Sequence, residues 1–187
     1  MAYFSQKELH KFGFKKLGKN VLLSTKASIY NYELIEINDN SRIDDFCSVS
    51  GNVSIGKYVH LAPYTLIAGG EPGVFIENHV TCAYGVKVFS QSDDYSGESL
   101  TNSLLPKKYK NELKKKIILK KHTIIGAGAI IMPGATLEEG TAIGASSLVL
   151  RSTKPWSINY GIPSKHISSR SREMTKLWAE FEKEHER

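Results

Sequence analysis

Between Leu119 and Val149 every sixth residue is aliphatic: Leu119, Ile125, Ile131, Leu137, Ile143 and Val149. The fourth residue after each is small or short: Thr123, Ala129, Ala135, Thr141, Ser147 and Thr153. An α-helix repeats every 3.6 residues and an isolated strand every two, so neither produces this spacing. A period of six predicts a triangular coil in which three hexads close one turn. Each aliphatic side chain then points inward and rests on its equivalent one turn away. Neighbouring turns pair as parallel strands about 4.8 Å apart. The residue four places on falls near a corner, where only a small side chain fits.

The same pattern extends upstream as Leu17, Leu23, Ile29; Ile37, Ile43, Val49; Ile55, Leu61, Ile67; and Ile76, Cys82, Val88. Six turns of three are expected over residues 17–154. The register breaks after Ile29 (two extra residues), Ile67 (three) and Val88 (25), each the third position of its turn. All insertions therefore leave the prism at one edge. A solenoid tolerates such loops because the stacked core stays intact, and loops carry function. The largest, over 89–118, holds Asp93, Asp94, Tyr95, Glu98, Thr101 and Asn102. The smaller insertion after Ile67 reads AGGEPGV, and the substrate pocket is expected between the two.

Helices are predicted at both ends. Ser5-x-x-Glu8 has the form of a capping box and opens a helical segment over 4–16 that caps one end of the prism. Residues 155–167 read as irregular around Pro155 and Gly161-Ile162-Pro163. Met174, Leu177, Trp178 and Phe181 form the apolar stripe of a helix over 171–185, suited to packing or to a subunit contact.

Composition narrows the partners. A chain of 187 residues suits one domain, and its net charge is +6. A basic balance is compatible with nucleic acid. Here, however, the lysines cluster in the loop (Lys107, Lys108, Lys110, Lys114, Lys115, Lys116) and near the C-terminus, which fits a phosphate-rich ligand equally well. Cys47 and Cys82 fall at corner and inward positions and read as reduced core thiols. The sequence contains no apolar run of signal-peptide or membrane-spanning length, so a cytoplasmic protein without membrane insertion is expected. Among the six histidines, His60 lies in the turn below the loop and is the one candidate for chemistry. His60 and His79 do not occupy equivalent places in adjacent turns, so no converging zinc site is expected.

The hexads, with Ile125-Gly126-Ala127-Gly128-Ala129, Ile143-Gly144-Ala145-Ser146-Ser147 and the later run Gly161-Ile162-Pro163-Ser164-Lys165, resemble the left-handed β-helix acyltransferases. The resemblance covers about residues 17–170. It implies an all-β left-handed parallel β-helix, acetyl-CoA as acyl donor, and a homotrimer with active sites between subunits. By the same resemblance the backbone at Ala127 and Ala145 hydrogen-bonds the pantetheine arm, and Ile162 and Pro163 belong to the coenzyme site. Arg151, Lys165 and Arg170 meet the coenzyme phosphates. In relatives that acylate hydroxyls the loop opens with a catalytic histidine; this chain has Ser92-Asp93-Asp94-Tyr95 there. That run and Thr101-Asn102 resemble a sub-branch acting on the amino group of nucleotide-linked dideoxyamino sugars for surface polysaccharide synthesis.

Elementary chemistry agrees with an amine acceptor. A hydroxyl must lose its proton as it attacks, which favours a base of near-neutral pKa such as histidine. A neutral amine already carries its lone pair and needs only an acceptor for the proton of the tetrahedral intermediate. A partly buried carboxylate can serve. Asp94 is the first candidate, Glu98 a second acidic contact, and Asp93 and His60 the rivals. Two readings compete with the N-acyltransferase: a saccharide O-acetyltransferase of the same fold, and a non-catalytic β-helix scaffold, which predicts neither the acidic loop nor the Gly-Ile-Pro-Ser-Lys run.

Overall fold

The computed structural model describes residues 2–185. Parallel strands of two to eleven residues stack into a left-handed parallel β-helix with three faces, one for each hexad of a turn. The pairing register reproduces the hexads at every rung. On the first face Leu17, Ile37, Ile55, Ile76, Leu119 and Leu137 stack in order. On the second, Leu23, Ile43, Leu61, Cys82, Ile125 and Ile143 do so. On the third, the column is Ile29, Val49, Ile67, Val88, Ile131 and Val149. All but Leu17 are buried, and together they form one continuous core. A slip of one residue would turn an entire column to solvent, which is why the pattern specifies its register.

The corners are as regular as the strands. Between the first and second faces, Asn20, Asn40, Tyr58, His79, His122, Gly140 and Trp156 all hold positive φ. Between the second and third, Phe46, Tyr64, Gly85, Gly128 and Ser146 do the same. Left-handed backbone at non-glycine residues is uncommon, and here the turn of each rung imposes it. The small residues behind the corners, Thr123, Ala129, Ala135, Thr141 and Ser147, are buried. The corner hydroxyls find acceptors: Thr65 Oγ1 donates to the Ala62 carbonyl at 2.7 Å, and Ser41 Oγ to that of Gly56 at 2.7 Å. Burial pushes the Cys47 thiol up to about 11 and that of Cys82 up to about 12, so both are inert core groups.

The segment over 155–167, read as irregular, forms two paired strands, Ser157–Gly161 and Ser164–Ser169, because its first strand continues the stack on Ala142–Ile143. Three further features differ from the expectations. The N-terminal helix, α1, is only Gln6–Leu9, although its capping box is complete. Gly13 turns left-handed, and Phe12 and Phe14 pack against Tyr32 instead of extending the helix. The insertion after Ile67 is not a free loop: Leu66–Ile76 is one bulged strand paired along Ser48–Ile55. A partial seventh rung places Asn159 on Ile143, a buried polar residue in the aliphatic column, where its Nδ2 donates to Ser157 Oγ at 2.8 Å. The C-terminal helix, α2, spans Met174–His185. No helix among the described residues is long and apolar enough to cross a membrane.

The inward column gives a direct test. Ile131 is fully buried between Val88 and Val149. Replacing it by aspartate buries an unpaired charge and is expected to cost several kcal/mol. A melting temperature equal to wild type would show that the column is misassigned.

Candidate active site

The third face carries an apolar-floored cavity. Its outward residues Ile130 and Leu148 lie in adjacent rungs and form an apolar floor. The loop leaves after the third face and folds back over it, enclosing a cavity of about 480 Å³ with Phe89, Gln91, Ser92, Asp93, Tyr95 and Met132 among its walls. The substrate pocket was expected between the two insertions; the cavity under the loop opens on its other side, toward the C-terminal rungs. The physical reason is that the two insertions are fastened together. Lys114 Nζ pairs with Glu71 at 3.0 Å, Ser90 Oγ donates to the Gly69 carbonyl, and the Gln91 amide lies so close to Gly70 that a side chain there would collide with it.

The two arms of the loop pair as short antiparallel strands, Gln91–Ser92 with Leu113–Lys114. Beyond this ladder stands Asp94. Its Oδ1 accepts the Ser96 backbone N–H at 2.8 Å, and its Oδ2 accepts Ser99 Oγ–H at 2.8 Å. Ser99 Oγ in turn accepts the Asn111 N–H at 3.1 Å, which ties the outgoing arm to the returning one. These bonds, the Ser96 backbone donor first, hold the carboxyl below its ordinary value, so Asp94 is ionised at neutral pH. Asp93 is exposed on the cavity wall, and Glu98 is exposed on the far side of the loop beside Lys108 and Lys110. Asp93 lines this cavity and an adjoining one of about 610 Å³ beside the ladder, Asp94 lines only the adjoining one, and Glu98 lines neither. Of the six loop lysines, Lys110 and Lys114 are held by Glu112 at 2.9 and 3.5 Å.

The expected coenzyme residues divide among the three corners. Ala127 and Ala145 stand exposed on successive rungs of the corner between the second and third faces. Ile162-Pro163, joined by a cis peptide bond, form the turn of a hairpin between Ser157–Gly161 and Ser164–Ser169. Its first strand lies on the Ala142–Ile143 rung, and Gly161 N–H donates to Ser147 Oγ at 3.1 Å, so the turn emerges at that same corner. Lys165 stands exposed on the returning strand opposite Tyr160. Arg151 is exposed at the other edge of the third face, where the loop departs. Arg170 belongs to neither edge. Its Nη1 donates to the carbonyls of His122 at 2.8 Å and Gly140 at 2.9 Å, fastening the remaining corner. Left-handed turns leave carbonyls that need donors, and the guanidinium supplies one.

His60 is not brought to the loop either. It projects from the second face in register with Arg42 and Thr81. Its Nε2 lies 2.8 Å from the buried Asp44, which also accepts from Arg42 Nε at 2.6 Å and Tyr3 Oη at 3.0 Å. Burial opposes ionisation of Asp44, but these donors outweigh it and its pKa is lowered. Among the described residues no group of three or more His, Cys, Asp or Glu could hold a metal ion. Sequence reasoning missed the floor residues Ile130 and Leu148 and the brace at Ser99. The first two carry a signal, since they are apolar side chains at outward positions of the hexads.

A coil of this register, with an acidic loop folded over one face and an exposed hairpin at the opposite corner, is the architecture of the hexapeptide-repeat acyltransferases. No family model matches the chain. It is 39% identical over 184 residues to the dTDP-4-amino-4,6-dideoxy-D-glucose acyltransferase of Escherichia coli, covering 97% of this chain and 95% of the relative. It superposes with a TM-score of 0.97 and 45% identity on AntD, an N-acyltransferase from Bacillus cereus solved with dTDP and 3-hydroxybutyryl-CoA, covering 99% of this chain and 98% of that one. A maltose O-acetyltransferase from Clostridium difficile 630 shares the fold alone, at 17% identity and a TM-score of 0.57 over 89% of this chain and 75% of that one. The chain belongs to the family of acyl-CoA-dependent N-acyltransferases that includes the Escherichia coli enzyme.

Lys165 and Arg151 flank the third face from opposite edges, which allows them to be told apart. Charge reversal at a residue contacting coenzyme phosphate is expected to raise KM for acyl-CoA by roughly tenfold while leaving KM for the acceptor nearly unchanged. Steady-state kinetics on Lys165→Glu and Arg151→Glu read this directly. A normal KM for acyl-CoA in both would remove the two side chains from the coenzyme site.

Proposed function

We propose that this enzyme transfers an acyl group from coenzyme A to the 4-amino group of dTDP-4-amino-4,6-dideoxyglucose, as a step toward surface polysaccharide. AntD has been solved with dTDP-4-amino-4,6-dideoxyglucose and coenzyme A in a variant form, which matches this chain at 46% identity over 98% of its length. The observation that carries the reading is Asp94: an ionised, braced carboxylate beside an apolar trough, where hydroxyl-acylating relatives have histidine. Acetyl-CoA is the expected donor, and its thioester would lie over Ile130 and Leu148 with the pantetheine arm directed toward Ala127 and Ala145.

In this scheme the neutral amine attacks the thioester carbonyl, the new C–N bond forms, and a zwitterionic tetrahedral intermediate results. Asp94 accepts the ammonium proton. The C–S bond then breaks, and the proton finally rests on the coenzyme thiol. The same carboxylate orients the incoming amine by charge. Because its hydrogen bonds lower its pKa, it is a weaker base than a buried carboxylate would be. The expected loss in Asp94→Asn is therefore about 10², the lower end of the range for a general base. The rate should rise toward alkaline pH as the acceptor ammonium deprotonates, with no limb from Asp94 near neutrality. Assays of Asp94→Asn and His60→Ala against amino and hydroxy sugars, with and without dTDP, test the assignment. Near-normal turnover in Asp94→Asn with abolition in His60→Ala would favour the O-acetyltransferase.

We infer a homotrimer with sites between subunits, in the cytoplasm where coenzyme A thioesters and nucleotide sugars are available. What supports the assembly is a column of exposed aromatic rings at the corner bordering the third face. Phe46 and Tyr64 stack at 5.0 Å between centroids, and Tyr84 is exposed on the next rung. A contiguous apolar strip of this kind marks a contact surface. Tyr64→Glu should dissociate the trimer in light scattering and reduce activity with it. An unaltered mass would move the interface elsewhere.

A further inference from the structure

The corner between the first and second faces carries a stack that the acyl-transfer chemistry does not use. Tyr58, His79 and His122 occupy successive rungs and Trp156 follows beyond Gly140, with ring centroids 5.9, 5.1 and 6.1 Å apart. Helix α2 lies across them. Trp178 sits on His79 with centroids 3.4 Å apart, and Phe181 meets Tyr58 edge-on at 5.4 Å. The Nδ1 atoms of His79 and His122 and the Trp178 Nε1 are buried without a hydrogen-bond partner. Directly behind His122, its own carbonyl accepts Arg170, the residue that follows the Ser164–Ser169 strand.

We propose that His79 and His122 make α2 an acid-released latch. Their protonation undocks Trp178 and Phe181 from this corner, and with the helix goes the clamp of Arg170 that holds the hairpin over the last rungs. The buried Nδ1 of each imidazole has no acceptor in the docked state, so a proton added there is neither hydrogen-bonded nor hydrated. Undocking returns it to water. Lys57 and Lys121 on the corner turns and Arg170 behind them oppose a charged imidazole, while Glu139 on the next rung and Glu182 of α2 favour one. His185 is engaged in stacking on Phe181. Burial dominates: it pushes His79 down to about 4 from the ordinary 6.5, with the neighbouring His122 as second cause, and lowers His122 as well.

The sign follows. A group whose pKa is depressed in the docked state binds more protons when released, so docking is complete above about 6.5 and is progressively lost as the pH falls toward 4. For His79 alone the undocking constant rises roughly fiftyfold between pH 7 and pH 4.5. His122 adds in the same direction. Metal binding is a different matter: the two imidazoles have no third ligand among the described residues.

The test is acrylamide quenching of Trp178 in the full chain, taken as the difference from Trp178→Phe, between pH 7.5 and 4.5. Far-UV circular dichroism monitors the coil in parallel. Wild type should expose Trp178 within this range while the coil stays folded. The protection factors of the amides in Ser157–Gly161, corrected for the intrinsic slowing of exchange in acid, should fall over the same range. His79→Phe should hold the helix docked to lower pH; Tyr58 and Trp156 already seat aromatic rings at left-handed positions of this column. His79→Asn is a second non-titrating variant, with Asn20 and Asn40 as precedents in the same backbone conformation. The proposal is overturned if Trp178 in wild type stays protected down to pH 4.5. It is overturned equally if either non-titrating variant releases the helix at the wild-type pH.

Discussion

Each inward side chain of this protein rests on its equivalent in the turn below, and that stacking can continue only if every corner turns through the same angle. The aliphatic columns and the left-handed corners are therefore one constraint seen twice. The columns bury the apolar surface that drives folding, and the corners keep the next residue in line. Once both are satisfied, little freedom remains inside the prism. Variation is pushed outward, to the edge where the chain can leave and return without disturbing the stack.

The position of the site follows from that edge. The loop departs after the third face, and the hairpin emerges at the opposite border of the same face, so Ile130 and Leu148 become the floor of a trough between them. The earlier insertion does not line this trough; it supports the loop from behind through Glu71 and the close approach of Gly70 to Gln91. A loop of this length would ordinarily be mobile. Here its arms are fixed to each other by a short ladder and by Ser99, which bridges Asp94 and Asn111. The acidic group is thus positioned by contacts between residues far apart in sequence but neighbours across the loop.

Neighbouring corners show how one backbone requirement supports different chemistry. At the corner between the second and third faces, the left-handed positions begin with Phe46 and Tyr64 and change to Gly85, Gly128 and Ser146. Bulky rings give way to small residues where the hairpin and the trough need room. Between the first and second faces, Tyr58, His79 and His122 give way to Gly140, over which Trp156 packs, and α2 covers the histidines. Arg170 serves that covered corner. The resemblance to the acyltransferases implies a phosphate contact for it, yet the carbonyls of His122 and Gly140 engage it.

The sequence by itself determined the register of the coil, residue for residue, because each rung repeats a local condition: an inward aliphatic, a turn, a small residue behind it. It also determined the edge by which insertions leave, since a break in a period is as legible as the period. It pointed to Asp93 and Asp94 as acidic groups of the loop. Only the tertiary structure decided which way the loop folds, that the cavity opens toward Ile130 and Leu148, that Glu98 stands outside it, and that His60 faces away beside Asp44. The same holds for the shortness of α1, where Gly13 and the rings packed on Tyr32 override a complete capping box. Stacking along a solenoid is a nearest-neighbour effect and leaves a periodic trace in the chain. The folding of a loop over a face depends on contacts between residues with no fixed spacing, and those leave none.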